Sequence, residues 1–371
     1  MRPHSSSATL PTVLLIGLAV LAAVVPAMYA QQPPQFKVDP DWPLELPNNQ
    51  ILGQVGGLTV DRHDHIWVLH RPGSNTADEL GASQTPPRSL CCFPAKPVLE
   101  FDSSGKLLQS WGGAGKGFDW PKSEHGIHVD SNDNVWIGGS APEDRQILKF
   151  ARDGRFLMQI GHPSSEPFDS SRTDILGRPA GIDVDEKAHE VYVADGYGNK
   201  RVIVFDSETG AFKRMWGAYG NQPSDAASEP YSPSATPARQ FRNPVHCLHI
   251  ASDGLVYVCD RTSSRIQVFT KQGKFVKEFS VRPETLGQGS AWDLAFSPDE
   301  SQTFLFVADG ENNVVWILQR SDGKVLGQIG HAGRNAGQFH WVHQIGSDSA
   351  GNLYTGEVDT AKRVQRFTVS R

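Results

Sequence analysis

The sequence predicts an all-β, six-bladed β-propeller. Three observations lead there: one phrase recurs six times, each copy alternates apolar and polar residues with period two, and helical periodicity is almost absent.

The phrase opens with an alternating strand, turns on Asp, Asn or Gly, and returns as a second strand. A third strand ending in Phe follows, then a fourth ending near Trp-Gly or Ile-Gly. The inner halves begin at Gly56 (GGLTVDRHDHIWVLHR), His125 (HGIHVDSNDNVWIGG) and Ala180 (AGIDVDEKAHEVYVADGY), then at His246 (HCLHIASDGLVYVCDR), Trp292 (WDLAFSPDESQTFLFVADG) and His343 (HQIGSDSAGNLYTGEV). The outer halves match as well, from VLEFDSSGKLLQSWG to VWILQRSDGKVLGQIG. Tight turns between half-buried strands, four strands to a copy, describe a propeller blade. The sixth copy stops after its third strand, RVQRFTVSR. The segment around Gln35-Phe36-Lys37-Val38 is expected to supply the fourth, closing the ring and covering an open edge.

Residues 1–30 read as a secretory signal peptide. Arg2 precedes an almost wholly apolar run from Leu10 to Val25, and small residues follow at Pro26-Ala27 and Ala30. The run is shorter than the roughly 20 residues of a usual span, so export to a secreted or periplasmic location is expected, with an uncleaved anchor as the alternative. Residues 31–371 then form a single propeller domain, expected to be monomeric. Net charge is −6 without a basic stripe, which argues against nucleic acid as a partner. In an exported protein Cys91, Cys92, Cys247 and Cys259 can form bridges, but the sequence leaves their pairing open.

Aligned at the first residue of each inner strand, the six copies carry Gly56, His125, Ala180, His246, Trp292 and His343. Histidine stands there in blades two, four and six. Alternate blades of a six-fold ring lie about 120° apart, so the three imidazoles should converge on the axis at one height. Three protein ligands with one open position is the arrangement of catalytic zinc. A wet channel lining is the plainer reading of the trio. It is preferred for the other histidines: His128 and His249 turned away by alternation, His162 and His331 in outer loops, and His63, His65 and His340 in turns or at the surface.

The second strand of each blade ends on the face where the first begins. His70-Arg71, Asp195-Gly196-Tyr197 and Asp260-Arg261 therefore share a rim with the histidines. Arginine matches a carboxylate bidentately, and a tyrosine beside a metal can move a proton. Asp309 and Glu357 read as turn-forming repeat residues. Asp195 and Asp260 are open between that role and a functional one. Arg71 and Arg261 break the small-residue pattern of Ser140, Gly196 and Gly310, which favours function.

The copies resemble NHL repeats, through VADG at Val193 and Val307 and GHAGRNAGQF at Gly330 to Phe339. The constellation resembles the peptidyl-α-hydroxyglycine α-amidating lyases, six-bladed NHL-like propellers that hold zinc through three histidines. The matching stretches are VLHRPG (Arg71), EHGIHVD (His125), VADGYGNKRV (Tyr197), NPVHCL (His246), VCDRTSSRIQVF (Arg261) and FHWVHQI (His343). The resemblance implies zinc on His125, His246 and His343. It implies Tyr197 as the proton acceptor, and Arg71 and Arg261 on the carboxylate of a small-molecule or peptide substrate. The products would be an amide and glyoxylate.

Several features depart from the family. Gly198 stands where the animal enzymes carry a disulfide cysteine, and the four cysteines reproduce neither family bridge. Gln344 replaces the acidic residue near a structural calcium, which leaves calcium in doubt. The insertions Ser74 to Pro97 and Pro223 to Arg239 lie on the active face. Two other readings compete: a different metal-dependent hydrolase or lactonase on the same channel site, and a propeller that binds a partner without chemistry.

Overall fold

The computed structural model describes residues 32–370, together with 1, 3 and 4. The chain divides into a short N-terminal unit, Met1–Gln32, and a compact unit, Pro33–Arg371. The expected signal peptide lies in the first, almost all of it outside the described residues.

The second unit is built from six four-stranded antiparallel sheets. Five run in chain order from the inner strand outward, so each blade is a local meander. Their inner strands are Gln54–Val60, Glu124–Val129, Pro179–Asp185, Val245–Ile250 and Asp293–Phe296. The sixth blade takes Val342–Ser347, Leu353–Glu357 and Val364–Ser370 from the end of the chain, and its outer strand Gln35–Asp39 from the beginning. Gln35 pairs with Ser370 and Asp39 with Arg366, which joins the two ends of the propeller.

The repeat motif folds this way for a local reason. An Asp at the end of the inner strand accepts hydrogen bonds from the turn amides and then from an aromatic donor on the second strand. Asp61 takes His63 N and His65 N at 2.8 and 3.0 Å and Trp67 Nε1 at 3.0 Å. Asp130 does the same for Asn132, Asn134 and Trp136, and Asp348 for Ala350, Asn352 and the Tyr354 hydroxyl. One carboxylate thus fixes the turn and buries an aromatic ring, which is why Asp and Trp or Tyr recur at this spacing.

The apolar core lies between blades rather than within one. One cluster joins Trp67 and Leu69 of blade one to Ile127 and Ile137 of blade two. Another joins Val202 and Val204 of blade three to Leu248 and Val258 of blade four, and a third joins Ile266 and Val268 to Leu305 and Val307. Since each blade buries both faces against neighbours, the ring holds the inner strands, and what they carry, at fixed positions about the axis.

Candidate metal centre and active site

His125, His246 and His343 sit where the ladder between first and second strands slips. The irregularity falls between His125 and Ile127, between Val245 and Leu248, and between Val342 and Gln344. A bulge places an extra residue against the partner strand and re-aims its side chain. The three rings consequently leave the strand alternation and meet. Their centroids form a near-equilateral triangle with sides of 5.1, 4.9 and 4.9 Å. All three are buried.

The glycine after the first histidine has a specific task. Gly126 has φ +71°, and a β-carbon on it would lie 2.1 Å from the Ala180 carbonyl. That same carbonyl oxygen stands 3.1 Å from His125 Nδ1. His246 Nδ1 faces the Trp292 carbonyl at 2.5 Å. A carbonyl only accepts, so both Nδ1 atoms carry the proton and both Nε2 atoms keep a lone pair for the axis. His343 Nδ1 is buried without a partner, a cost that a buried polar atom rarely bears without reason.

Burial drives all three imidazoles well below their ordinary protonation range. The charges of Arg71 and Arg261 act next on His125 and His246 respectively, and the other two rings next on His343. Neutral imidazole is the form that binds metal. Their ligand atoms lie within 4.8 Å of one another. Tetrahedral zinc, with zinc–nitrogen distances of about 2.0–2.1 Å, needs them about 3.4 Å apart, so modest ring movements close the set. The residues fit zinc.

Tyr197 completes the centre. Its hydroxyl lies 3.1 Å from His125 Nε2 and 3.0 Å from His246 Nε2. It follows Gly196, where a β-carbon would come within 1.9 Å of the Val245 carbonyl, so only glycine lets the chain pass that close to the His246 strand. Arg261 Nη1 stands 3.4 Å from the same hydroxyl. Arg71 donates to the Glu124 carbonyl at 2.9 Å and to Gln54 Oε1 at 3.0 Å. Burial depresses both guanidinium pKa values, opposed by the nearby Tyr197. The structure therefore brings together all six residues singled out from the sequence.

The rim acids left open by the sequence, Asp195 and Asp260, take the structural role. Asp195 accepts from Arg201, Asn199 and the Gly177 amide, and Asp260 from Arg265 and the Arg242 amide. Asp309 and Glu357 hold the equivalent place, bonded to Asn312 and Trp316 and to Arg363 and Gln365. All four tie the second strand of a blade to the segments that follow. In blade one this register holds His70, whose Nδ1 accepts from the Gly53 amide and whose Nε2 donates to the Lys96 carbonyl, both at 2.9 Å. His70 is thus a strand clasp rather than a rim residue.

Other expected side chains find separate partners. His128 lies 3.5 Å from Asp183, and His249 lies 2.8 Å from Asp293, each an acid of the next blade. His65 bonds Glu100 at 2.7 Å, part of an interblade cluster with Arg152 and Asp61 rather than a plain surface turn. Gln344 is buried beside His343. Cys247 is bridged to Cys259 and Cys91 to Cys92, pairings the sequence left open. The insertions emerge where second or fourth strands end, on the histidine face. Lys362 pins Glu79 of the first at 2.6 Å, and the Tyr231 hydroxyl of the second donates to the Pro283 carbonyl at 2.7 Å.

Three contributors escaped the sequence reading. Gln54 and Gln288 aim Arg71 and Arg261, the latter at 2.7 Å. The Trp292 ring packs 4.3 Å from the Arg261 guanidinium and against both His246 and His343. Trp292 was visible as the aromatic exception in the first-residue alignment. Gln54 opens the first inner strand just ahead of the repeat phrase and Gln288 lies in an irregular loop, so neither carries a repeat signal.

An NHL repeat matches residues 176–205. The protein is a six-bladed propeller that contains an NHL repeat and is similar to the amidating lyases. Over 90% of this chain, 27% of residues are identical to peptidyl-glycine alpha-amidating monooxygenase B of Xenopus laevis, of which 35% is covered. A probable peptidyl-alpha-hydroxyglycine alpha-amidating lyase of Caenorhabditis elegans is 28% identical over 59% of this chain and 56% of its own. The chain thus spans about a third of the length of the first curated relatives it matches. A streptogramin B lyase structure superposes with a TM-score of 0.51 over 90% of this chain and 98% of that one, at 13% identity, which speaks for the fold alone.

Proposed function

We propose that this NHL propeller is a zinc-dependent lyase that cleaves a carbinolamide, R-CO-NH-CH(OH)-COO⁻, to an amide and glyoxylate. The observation that carries the reading is the equilateral imidazole triad with a tyrosine hydroxyl set against two of its free Nε2 atoms. The similarity to amidating lyases supports the reaction type.

Bound zinc would polarise the substrate hydroxyl and lower its pKa. Tyr197 Oη is the proton carrier: in its deprotonated form it takes the hydroxyl proton as the C=O bond forms and the C–N bond breaks. It then returns the proton to the departing amide nitrogen, so no water or other reactant is consumed. Arg71 and Arg261 hold the carboxylate and steady negative charge as it develops. Trp292 and the buried imidazole walls keep the site dry, which strengthens each of these interactions.

The apolar segment from Leu10 to Val25 and the two disulfides support an exported protein. Metal analysis of the purified chain, followed by glyoxylate release from α-hydroxyhippurate, tests the assignment. One zinc per chain with glyoxylate formed upholds it; a metal-bound protein that releases none moves the chemistry to another substrate class.

A further inference from the structure

A third arginine stands in this centre. Arg178 immediately precedes the inner strand of blade three, and its guanidinium carbon lies 5.3 Å from the Tyr197 ring centroid, beside Arg261 at 5.7 Å from the same ring. Its Nε donates to the Ser140 carbonyl at 2.7 Å. Among the described residues its two terminal nitrogens meet no protein acceptor. The backbone carbonyl of Arg178 also receives the Tyr197 amide at 3.2 Å, so the residue is anchored to the site at both ends.

Its backbone is costly. Arg178 has φ +63°, a region disfavoured for any side chain bearing a β-carbon and doubly so before a proline. Glycine would meet that backbone requirement more cheaply. A large cation retained in such a conformation, and aimed at reactive groups, points to a role for the side chain.

Charge accounting gives that role. The protein acceptors of Arg71, Arg178 and Arg261 are all neutral: main-chain carbonyls, Gln54, Gln288, Ser140 and the Tyr197 hydroxyl. The acids close enough to act on Arg71 and Arg261 are engaged elsewhere: Glu124 by Trp120 Nε1, Asp144 by the Lys122, Ser123 and Ala141 amides, and Glu311 by the Gln288 amide. Three unpaired guanidiniums beside a divalent metal site exceed what one carboxylate can satisfy, since a single arginine already holds a carboxylate in a fork.

We infer that Arg178 reads a second anionic group, and that the site takes α-hydroxyglycine conjugates whose acyl part carries its own carboxylate. The α-hydroxyglycine half rests on the proposed lyase reaction; the second carboxylate rests on Arg178 alone.

Unreactive analogues test it without turnover. N-succinyl-, N-glutaryl- and N-adipoylglycine are compared by calorimetry, on the zinc-loaded protein at low salt, with monocarboxylate acylglycines of equal length. At least one dicarboxylate should bind about tenfold more tightly than its match, the worth of one charge-assisted hydrogen bond. Arg178→Gln, which keeps the β-carbon and so the backbone cost, should bring that ratio to within about twofold. Arg178→Lys should keep part of it, as charge without the fork. No dicarboxylate preference in the parent protein, or a preference that survives Arg178→Gln, overturns the inference. Failure of α-hydroxyhippurate to release glyoxylate bears on the lyase reading only, because the binding ratio is read separately.

Discussion

Tyr197 Oη lies 3.0 Å from His246 Nε2, the ring nitrogen left with a free lone pair once Nδ1 is bonded to the Trp292 carbonyl. If that phenol moves the proton, Tyr197→Phe should leave zinc stoichiometry intact and lower kcat by roughly 10²–10⁴-fold, the range for a positioned acid–base group. Metal content and steady-state rates on the same preparation separate this from structural damage. A variant that keeps near-parental kcat would remove Tyr197 from the chemistry.

His246→Ala, and likewise His125→Ala or His343→Ala, should abolish stoichiometric zinc. Because the ligands come from three blades, the metal also links distant parts of the ring. Free zinc at 100 times its Kd should raise unfolding stability by about 2.7 kcal/mol in the parent protein. The gain should vanish in each variant, as followed by thermal unfolding with and without chelator. An equal zinc shift in parent and variants would mean the ion binds elsewhere.

The ring architecture was legible because the Asp-turn-Trp phrase is local: one carboxylate, its turn amides and an aromatic donor lie within seven residues, as Asp61 and Trp67 illustrate. The triad was legible because symmetry of the fold turns equal sequence positions into convergent ones. What the sequence hid was set by contacts between blades. Nothing local announces that His125 Nδ1 finds the Ala180 carbonyl, or that a bulge frees the ring from strand alternation. His70 was hidden for a different reason: it looks like a rim residue beside Arg71, but its partners Gly53 and Lys96 lie in its own blade outside the repeat phrase.

Gln288 Oε1 accepts from Arg261 Nη2 at 2.7 Å, and it reaches there from a loop outside the repeat. Gln288→Leu should loosen the guanidinium without removing it. A rise of about ten- to twentyfold in KM with kcat changed far less is expected, consistent with a hydrogen bond to a charged group worth about 1.5 kcal/mol or somewhat more. Equal loss in kcat would instead place Gln288 in contact with the reacting atoms.

The Cys247–Cys259 bridge joins the residue after His246 to the strand that ends at Asp260, just before Arg261. Its closed loop is short, with a sequence separation of 12. Chain-entropy reasoning gives about 3 kcal/mol of stabilisation for a loop of this size. The double variant Cys247→Ala/Cys259→Ala should lose roughly that amount in urea unfolding. An unchanged midpoint would show that packing alone holds these two strands in register.

His70 offers a pH test that is independent of metal chemistry. Burial lowers its pKa from 6.5 to about 4, only partly opposed by its bond to the Lys96 carbonyl. Between those values the unfolded chain binds a proton that the folded chain excludes, so stability must fall as pH drops through that window. At about 1.4 kcal/mol per pKa unit, the loss between pH 7 and 4.5 amounts to roughly 2–3 kcal/mol. Asp309 works the other way, because burial raises its pKa to about 6 and ionisation becomes unfavourable as pH rises. The three buried imidazoles of the triad act in the same direction as His70. Both contributions are common to the parent and to His70→Gln, whose amide can still donate to Lys96. The difference between the two unfolding curves therefore isolates His70: the parent should lose the larger amount on acidification, and parallel curves would show that the clasp accepts a proton without cost.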